Sequence, residues 1–122
     1  MYVFAGRGTV IATSADGNSF QFLRDMSPRD WGTTAAVPLP DGRLRLYAFE
    51  QRVPIGNAVH SFISTNGVDW AEEPGARLQA SSDEQITDPF VIRWRGGWKM
   101  YFKISPTRKP SPRNPAPGFP AR

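Results

Sequence analysis

An internal repeat constrains this sequence of 122 residues more than any other feature. Val37-Pro38-Leu39-Pro40-Asp41-Gly42-Arg43-Leu44-Arg45-Leu46-Tyr47 can be laid without a gap on Val91-Ile92-Arg93-Trp94-Arg95-Gly96-Gly97-Trp98-Lys99-Met100-Tyr101, 54 positions on. Each copy reads as an apolar strand, a tight Gly-containing turn and a second strand ending in Tyr. Asp41-Gly42 and Gly96-Gly97 suit two-residue turns whose backbone needs positive φ. The second strands alternate Leu44, Leu46, Ala48 and Trp98, Met100, Phe102 against Arg45 or Lys99 and a Tyr, which is the period of two of a β-strand.

A second pair of segments recurs 50 positions apart: Ser14-Ala15-Asp16-Gly17-Asn18-Ser19-Phe20 and Ser64-Thr65-Asn66-Gly67-Val68-Asp69-Trp70. Asp or Asn before Gly makes a turn, because the short side chain bonds the backbone two residues on. Ile11 and Thr13, and Val59, Ser61 and Ile63, read as the strands leading into these turns. The order is hairpin, linker, hairpin, at a period of about 50 residues, which describes β-propeller blades of four antiparallel strands. Met1-Tyr2-Val3-Phe4 matches Met100-Tyr101-Phe102-Lys103 and therefore reads as a second strand. The expected fold class is all-β: a partial blade over 1–31, a full blade over 32–80 and a half blade over 81–104, open at both ends. The alternative is a self-contained β-sandwich of about nine strands.

Composition agrees with many short strands, for twelve prolines and eleven glycines leave little room for helices. With no cysteine and only His60, neither a thiolate nor a histidine-rich metal site is expected, and no cofactor is implied. No apolar run approaches the roughly 20 residues of a membrane helix, so no membrane partner is expected. The net charge of +4 lies wholly in Arg108, Lys109, Arg113 and Arg122; residues 1–104 are formally neutral. No basic patch with interleaved aromatics is visible before that point, so nucleic acid is not an expected partner. Residues 105–122 hold six of the twelve prolines and one large apolar residue, Phe119, a composition that predicts a disordered tail.

Thr87-Asp88-Pro89-Phe90-Val91-Ile92, followed by Gly96-Gly97-Trp98-Lys99-Met100-Tyr101-Phe102, resembles a blade of the five-bladed propeller glycosidases, which include arabinanases, xylosidases, invertases and levansucrases. The Ser-x-Asp/Asn-Gly-x-x-aromatic turns resemble that superfamily's outer hairpins and, more loosely, the Asp-boxes of sialidases. The resemblance implies carboxylate-based hydrolysis of a polysaccharide or oligosaccharide, in which two carboxyl groups flank the scissile bond. It also implies that an Asp at the start of an inner strand lines the central funnel, and Asp88 is the matching residue. The preceding blade has Thr34 at that position, and no acid matches the family's general-acid Glu.

Propeller connectivity places the linkers into inner strands and out of second strands on one face. Arg29, Asp30 and Trp31, then Glu50, Gln51 and Arg52, then Glu84, Gln85 and Asp88 fall there. Asp88 and Glu50 are the candidate catalytic carboxylates, and Trp31, Asp30 and Arg52 the candidate carbohydrate-binding residues. Each has a plain structural role as its alternative: a turn cap for Asp88, a solvated loop acid for Glu50, interblade packing for Trp31, and a packed strand residue for His60. Three functions follow: part of a propeller glycosidase, a non-catalytic carbohydrate- or protein-binding propeller module, or an inactive truncated product. Closing the propeller requires further blades or self-association.

Overall fold

The computed structural model describes residues 2–5, 8–26, 31–50 and 57–107. The chain is all-β, with no helix among the described residues. Strands β1 (Tyr2–Ala5), β2 (Gly8–Thr13) and β3 (Gln21–Asp25) form one antiparallel sheet in chain order. Strands β4 (Trp31–Pro38), β5 (Leu44–Glu50), β6 (Ala58–Ser64) and β7 (Ala71–Glu72) form a second, again in chain order, with β8 (Leu78–Gln79) also paired to β6. A hairpin of β9 (Glu84–Trp94) and β10 (Gly97–Pro106) is the third. The middle sheet has the meander order of a propeller blade, its outer strand split into β7 and β8 around Pro74-Gly75.

The sheets stack in chain order, and alternation along each strand decides what each face meets. In β5, Leu46 and Ala48 point one way and pack with Ile11, Met26, Trp31 and Phe62 between the first and second sheets. Tyr47 and Phe49 point the other way and pack with Val37, Val59, Ile86 and Val91 between the second sheet and the hairpin. A two-sheet sandwich has no such middle layer buried on both faces. Burying side chains such as Leu46, Val59 and Phe62, all 0% exposed, contributes about 1.5–3 kcal/mol each.

Trp31 and Val37 lie an even number of residues apart on β4, yet face opposite cores. The cause is a bulge: Gly32 pairs with Phe49 and Thr34 with Ala48, leaving Thr33 extra. The same bulge recurs in β9, where Thr87 pairs with Lys103 and Phe90 with Tyr101, so that Asp88-Pro89 face Phe102 alone.

Both hairpin turns differ from expectation. The first has a loop of Pro40-Asp41-Gly42 closed by Leu39 and Arg43, with Gly42 at φ 87°. In the second, Trp94 pairs with Gly97, so the central residues are Arg95 (φ 48°) and Gly96 (φ 79°), a type I′ turn displaced by one residue from Gly96-Gly97. The shorter loop shifts the inner strand by one relative to the ungapped alignment. Leu46 faces Ala36 and Met100 faces Val91, and the residue equivalent to Asp88 is therefore Thr33 rather than Thr34.

The Ser-x-Asp/Asn-Gly turns match bond for bond. Ser14 Oγ accepts from the N–H of Gly17 at 2.9 Å, and Asp16 Oδ1 accepts from those of Asn18 and Ser19 at 2.8 and 3.1 Å. Ser64 Oγ accepts from the N–H of Gly67 at 2.8 Å, and Asn66 Oδ1 from those of Val68 and Asp69 at 2.9 and 2.8 Å. Gly17 and Gly67 stand at φ 77° and 75°. Strand β10 runs through Pro106, two residues past the boundary drawn from composition at Ile104. Asp30, Arg52 and the chain beyond Thr107 lie outside the described residues.

Candidate functional site

Three of the five candidate residues are described, and the fold treats each differently. Asp88 is the inner-strand residue in the β9 bulge. Its φ of 52° is one of only two non-Gly positive values among the described residues, the other being Arg95. A residue before proline is pushed towards extended backbone, so this left-handed conformation is held by the ladder on either side of it. Such sparsely populated backbone costs of order 1–3 kcal/mol and clusters at functional sites. The Asp88 carboxylate is one-third exposed and 2.8 Å from Lys103 Nζ on the opposing strand. That hydrogen bond, with the carboxylate charge, raises the Lys103 ammonium above the ordinary lysine range.

Beside Asp88, Gln85, Thr87, Ser105, Pro106 and Thr107 line an open cleft of about 620 Å³ where β9 begins and β10 ends. Its polar groups are hydroxyls and an amide. The Thr107 N–H donates to the Asp83 carbonyl at 2.7 Å, prolonging the hairpin past its last strand pair and forming one wall.

Glu50 ends β5 directly across from Trp31, so those two candidates are brought together at the same end of the middle sheet. Trp31, however, is 2% exposed. Its ring lies 5.0 Å edge-on from Phe62 and 4.9 Å from the His60 ring. It fills the joint between the first two sheets, which corrects its assignment as a sugar-stacking platform: a covered ring has no open face for a pyranose. The Thr33 bulge is what turns it into this joint. His60 is likewise a packed strand residue, its Nδ1 2.9 Å from Glu72 Oε1.

A polar network that the sequence did not reveal lies on the opposite face of β5 and β6. Glu73 takes both oxygens to Arg45, at 2.8 and 2.9 Å, and accepts from Ser61 Oγ at 2.6 Å. Arg77 donates from Nε to Ser61 Oγ at 2.6 Å. Partial burial pushes the Glu73 carboxyl up, but the Arg45 and Ser61 hydrogen bonds and the charges of Arg45 and Arg77 outweigh it and hold it below the ordinary glutamate range. The Glu73 and Arg77 N–H groups also donate to the Ser61 and Val59 carbonyls. The network therefore fastens the β7–β8 segment to β6. A glutamate three residues after Trp70, within reach of an arginine in an alternating strand, was the only signal available.

At the outer edge, Arg24 bonds Asp69 and, at 3.0 Å, the Val68 carbonyl, tying β3 to the turn of the next sheet. The Asn66 amide and Arg24 together hold Asp69 below the ordinary aspartate range. Among the described residues no three His, Cys, Asp or Glu side chains converge as a metal site would require. No family model matches the chain, and neither the curated proteins nor the solved structures give a match.

Proposed function

We propose that this chain forms part of a carbohydrate-processing β-propeller, with Asp88 as a carboxylate of a glycoside-hydrolysing site. The observation that carries the reading is Asp88 itself: an acid in left-handed backbone before Pro89, at a bulge repeated in both inner strands. The neighbouring cleft, lined by Gln85, Thr87, Ser105 and Thr107, offers the hydroxyls and amide that pair with sugar hydroxyls. The Asp88 carboxylate lies 2.8 Å from the Lys103 ammonium, which places a cation beside the proposed site. Hydrolysis needs a second carboxyl group as acid. Glu50 is the candidate within the described residues.

The alternative is a non-catalytic module that binds a glycan on the same face. It is favoured by an Asp88 carboxylate already engaged by Lys103.

The test is release of the aryl group from a panel of aryl glycosides, paired with calorimetric titration of oligosaccharides, using the chain and its D88N variant. Turnover reduced by at least about a thousandfold in D88N supports hydrolysis. Binding without release supports the module, and neither binding nor release ends both readings.

A further inference from the structure

We infer that two copies of this chain associate head to tail, the outward face of β9–β10 packing on the outward face of β1–β3. The chain already makes two joints of one kind. Each buries the forward side of one sheet against the backward side of the next. The Ile11 side of the first sheet meets Leu46, Ala48 and Phe62 of the second. The Tyr47, Phe49 and Val59 side of the second meets Val91 and Met100 of the third. One forward side, on β9–β10, and one backward side, on β1–β3, remain unused among the described residues, and a second copy carries the complement of each.

The unused forward side is apolar. Val91 and its partner Met100 point inward, so Phe90 and its partner Tyr101, together with Ile92 and Trp94, point out. Phe90, Trp94 and Tyr101 are 58%, 50% and 55% exposed. Tyr101 occupies the place of Tyr47, which is 7% exposed inside the equivalent joint. A residue shaped for that joint is thus present where the joint lacks its second half. On the unused backward side, Ile11 points inward, so Ala12 and its partner Phe22 point out, with Val10 two residues away. Phe22 is 63% exposed, the highest value among the exposed large apolar side chains of the described residues.

Charge runs the same way. The β9–β10 hairpin, residues 84–106, carries Arg93, Arg95, Lys99 and Lys103 against Glu84 and Asp88, with Lys103 held by Asp88, whereas residues 8–26 carry Asp16 and Asp25 with only Arg24. Arg24 is held by Asp69. Contiguous exposed apolar surface rimmed by charge marks an interaction site. A forward-to-backward contact is heterologous, so it closes a ring or propagates.

Because the joint uses two different surfaces, it is tested by complementation. Light scattering after size exclusion measures the mass of the full chain across a concentration series, alone and as F22E and Y101E variants. Both positions are exposed, and circular dichroism checks that each variant keeps its fold. The expected result is a mass above the monomer for the parent, at least a tenfold weaker association for each variant alone, and a restored dimer on mixing the two. In that mixture one copy supplies an intact head and the other an intact tail. The double variant stays monomeric throughout. A parent that remains monomeric at millimolar concentration overturns the inference, and so does association or aggregation that survives both single substitutions. Failure of the mixture to recover does the same. No sugar enters the experiment, so its outcome is independent of the reading of Asp88.

Discussion

Hairpins β4–β5 and β9–β10 are one design used twice, with the same bulge in the inner strand and the same strand order. In the first, Leu46, Tyr47, Ala48 and Phe49 are 0–7% exposed. In the second, Tyr101, Phe102 and Ile104 are 40–56% exposed. The backbone is shared, and what differs is cover: β4–β5 lies between two sheets, whereas β9–β10 has a neighbour on one side only. The side chains follow. Phe49 lies across Gly32, which has no room for a Cβ, while the equivalent pair is Thr87 with Lys103. Arg45 is drawn into the Glu73 network, while the equivalent Lys99 lies over the Trp94 ring at 5.8 Å. Pairing pattern sets the hairpin, and burial sets what each position contributes.

The sharpest way to break that comparison is the same substitution at equivalent tyrosines. Tyr47→Ala should cost about 3–5 kcal/mol, as large aromatic deletions in cores do, and Tyr101→Ala less than about 0.5 kcal/mol, in dilute protein by denaturant melts. Equal costs would mean that the two hairpins are equally covered. Next in size, Gly32→Ala forces a Cβ into the Phe49 ring and should cost about 1–3 kcal/mol, against under about 1 kcal/mol for Thr87→Ala.

Glu73→Gln leaves Arg45 without its ion pair and should cost about 1–2 kcal/mol, discounted for partial exposure. Its pH dependence sharpens the assignment. The folded carboxyl is held low, so the stabilisation is complete above the unfolded carboxyl's range and is lost as pH falls through the folded value. Melting midpoints followed from neutral to acid pH should fall for the parent, and the Gln variant should lack that contribution. The smallest effect has the opposite sign. Arg95 stands at positive φ in a type I′ turn, so Arg95→Asn should stabilise the hairpin by up to about 1 kcal/mol in the same melts.

The sequence announces the parts of this fold that are local. The Ser14 and Ser64 turns are legible because each bond joins side chain and backbone within three residues. The second strands are legible because alternation needs no partner. The bulges are not, because an extra residue is defined only against the strand opposite. Missing them puts Trp31 on an open face. The second turn is displaced for a related reason: Gly96-Gly97 permits two placements, and the ladder from Val91 to Met100 selects Arg95-Gly96. Asp88 itself is legible, but its Lys103 partner lies fifteen positions on, across a register no single strand encodes. The Glu73 network depends likewise on three strands meeting.

The repeated bulge also bears on how such a chain acquires new chemistry. The extra residue sits outside the one-to-one backbone ladder, so the register does not depend on its identity. Thr33 and Asp88 fill the same slot, and the pairing on either side of them is unchanged. A lineage can exchange the occupant of that slot while the surrounding strands keep their register, and each blade becomes a separate place to try an acid, a hydroxyl or a cation. The scaffold thus holds its variable letter apart from its fixed grammar.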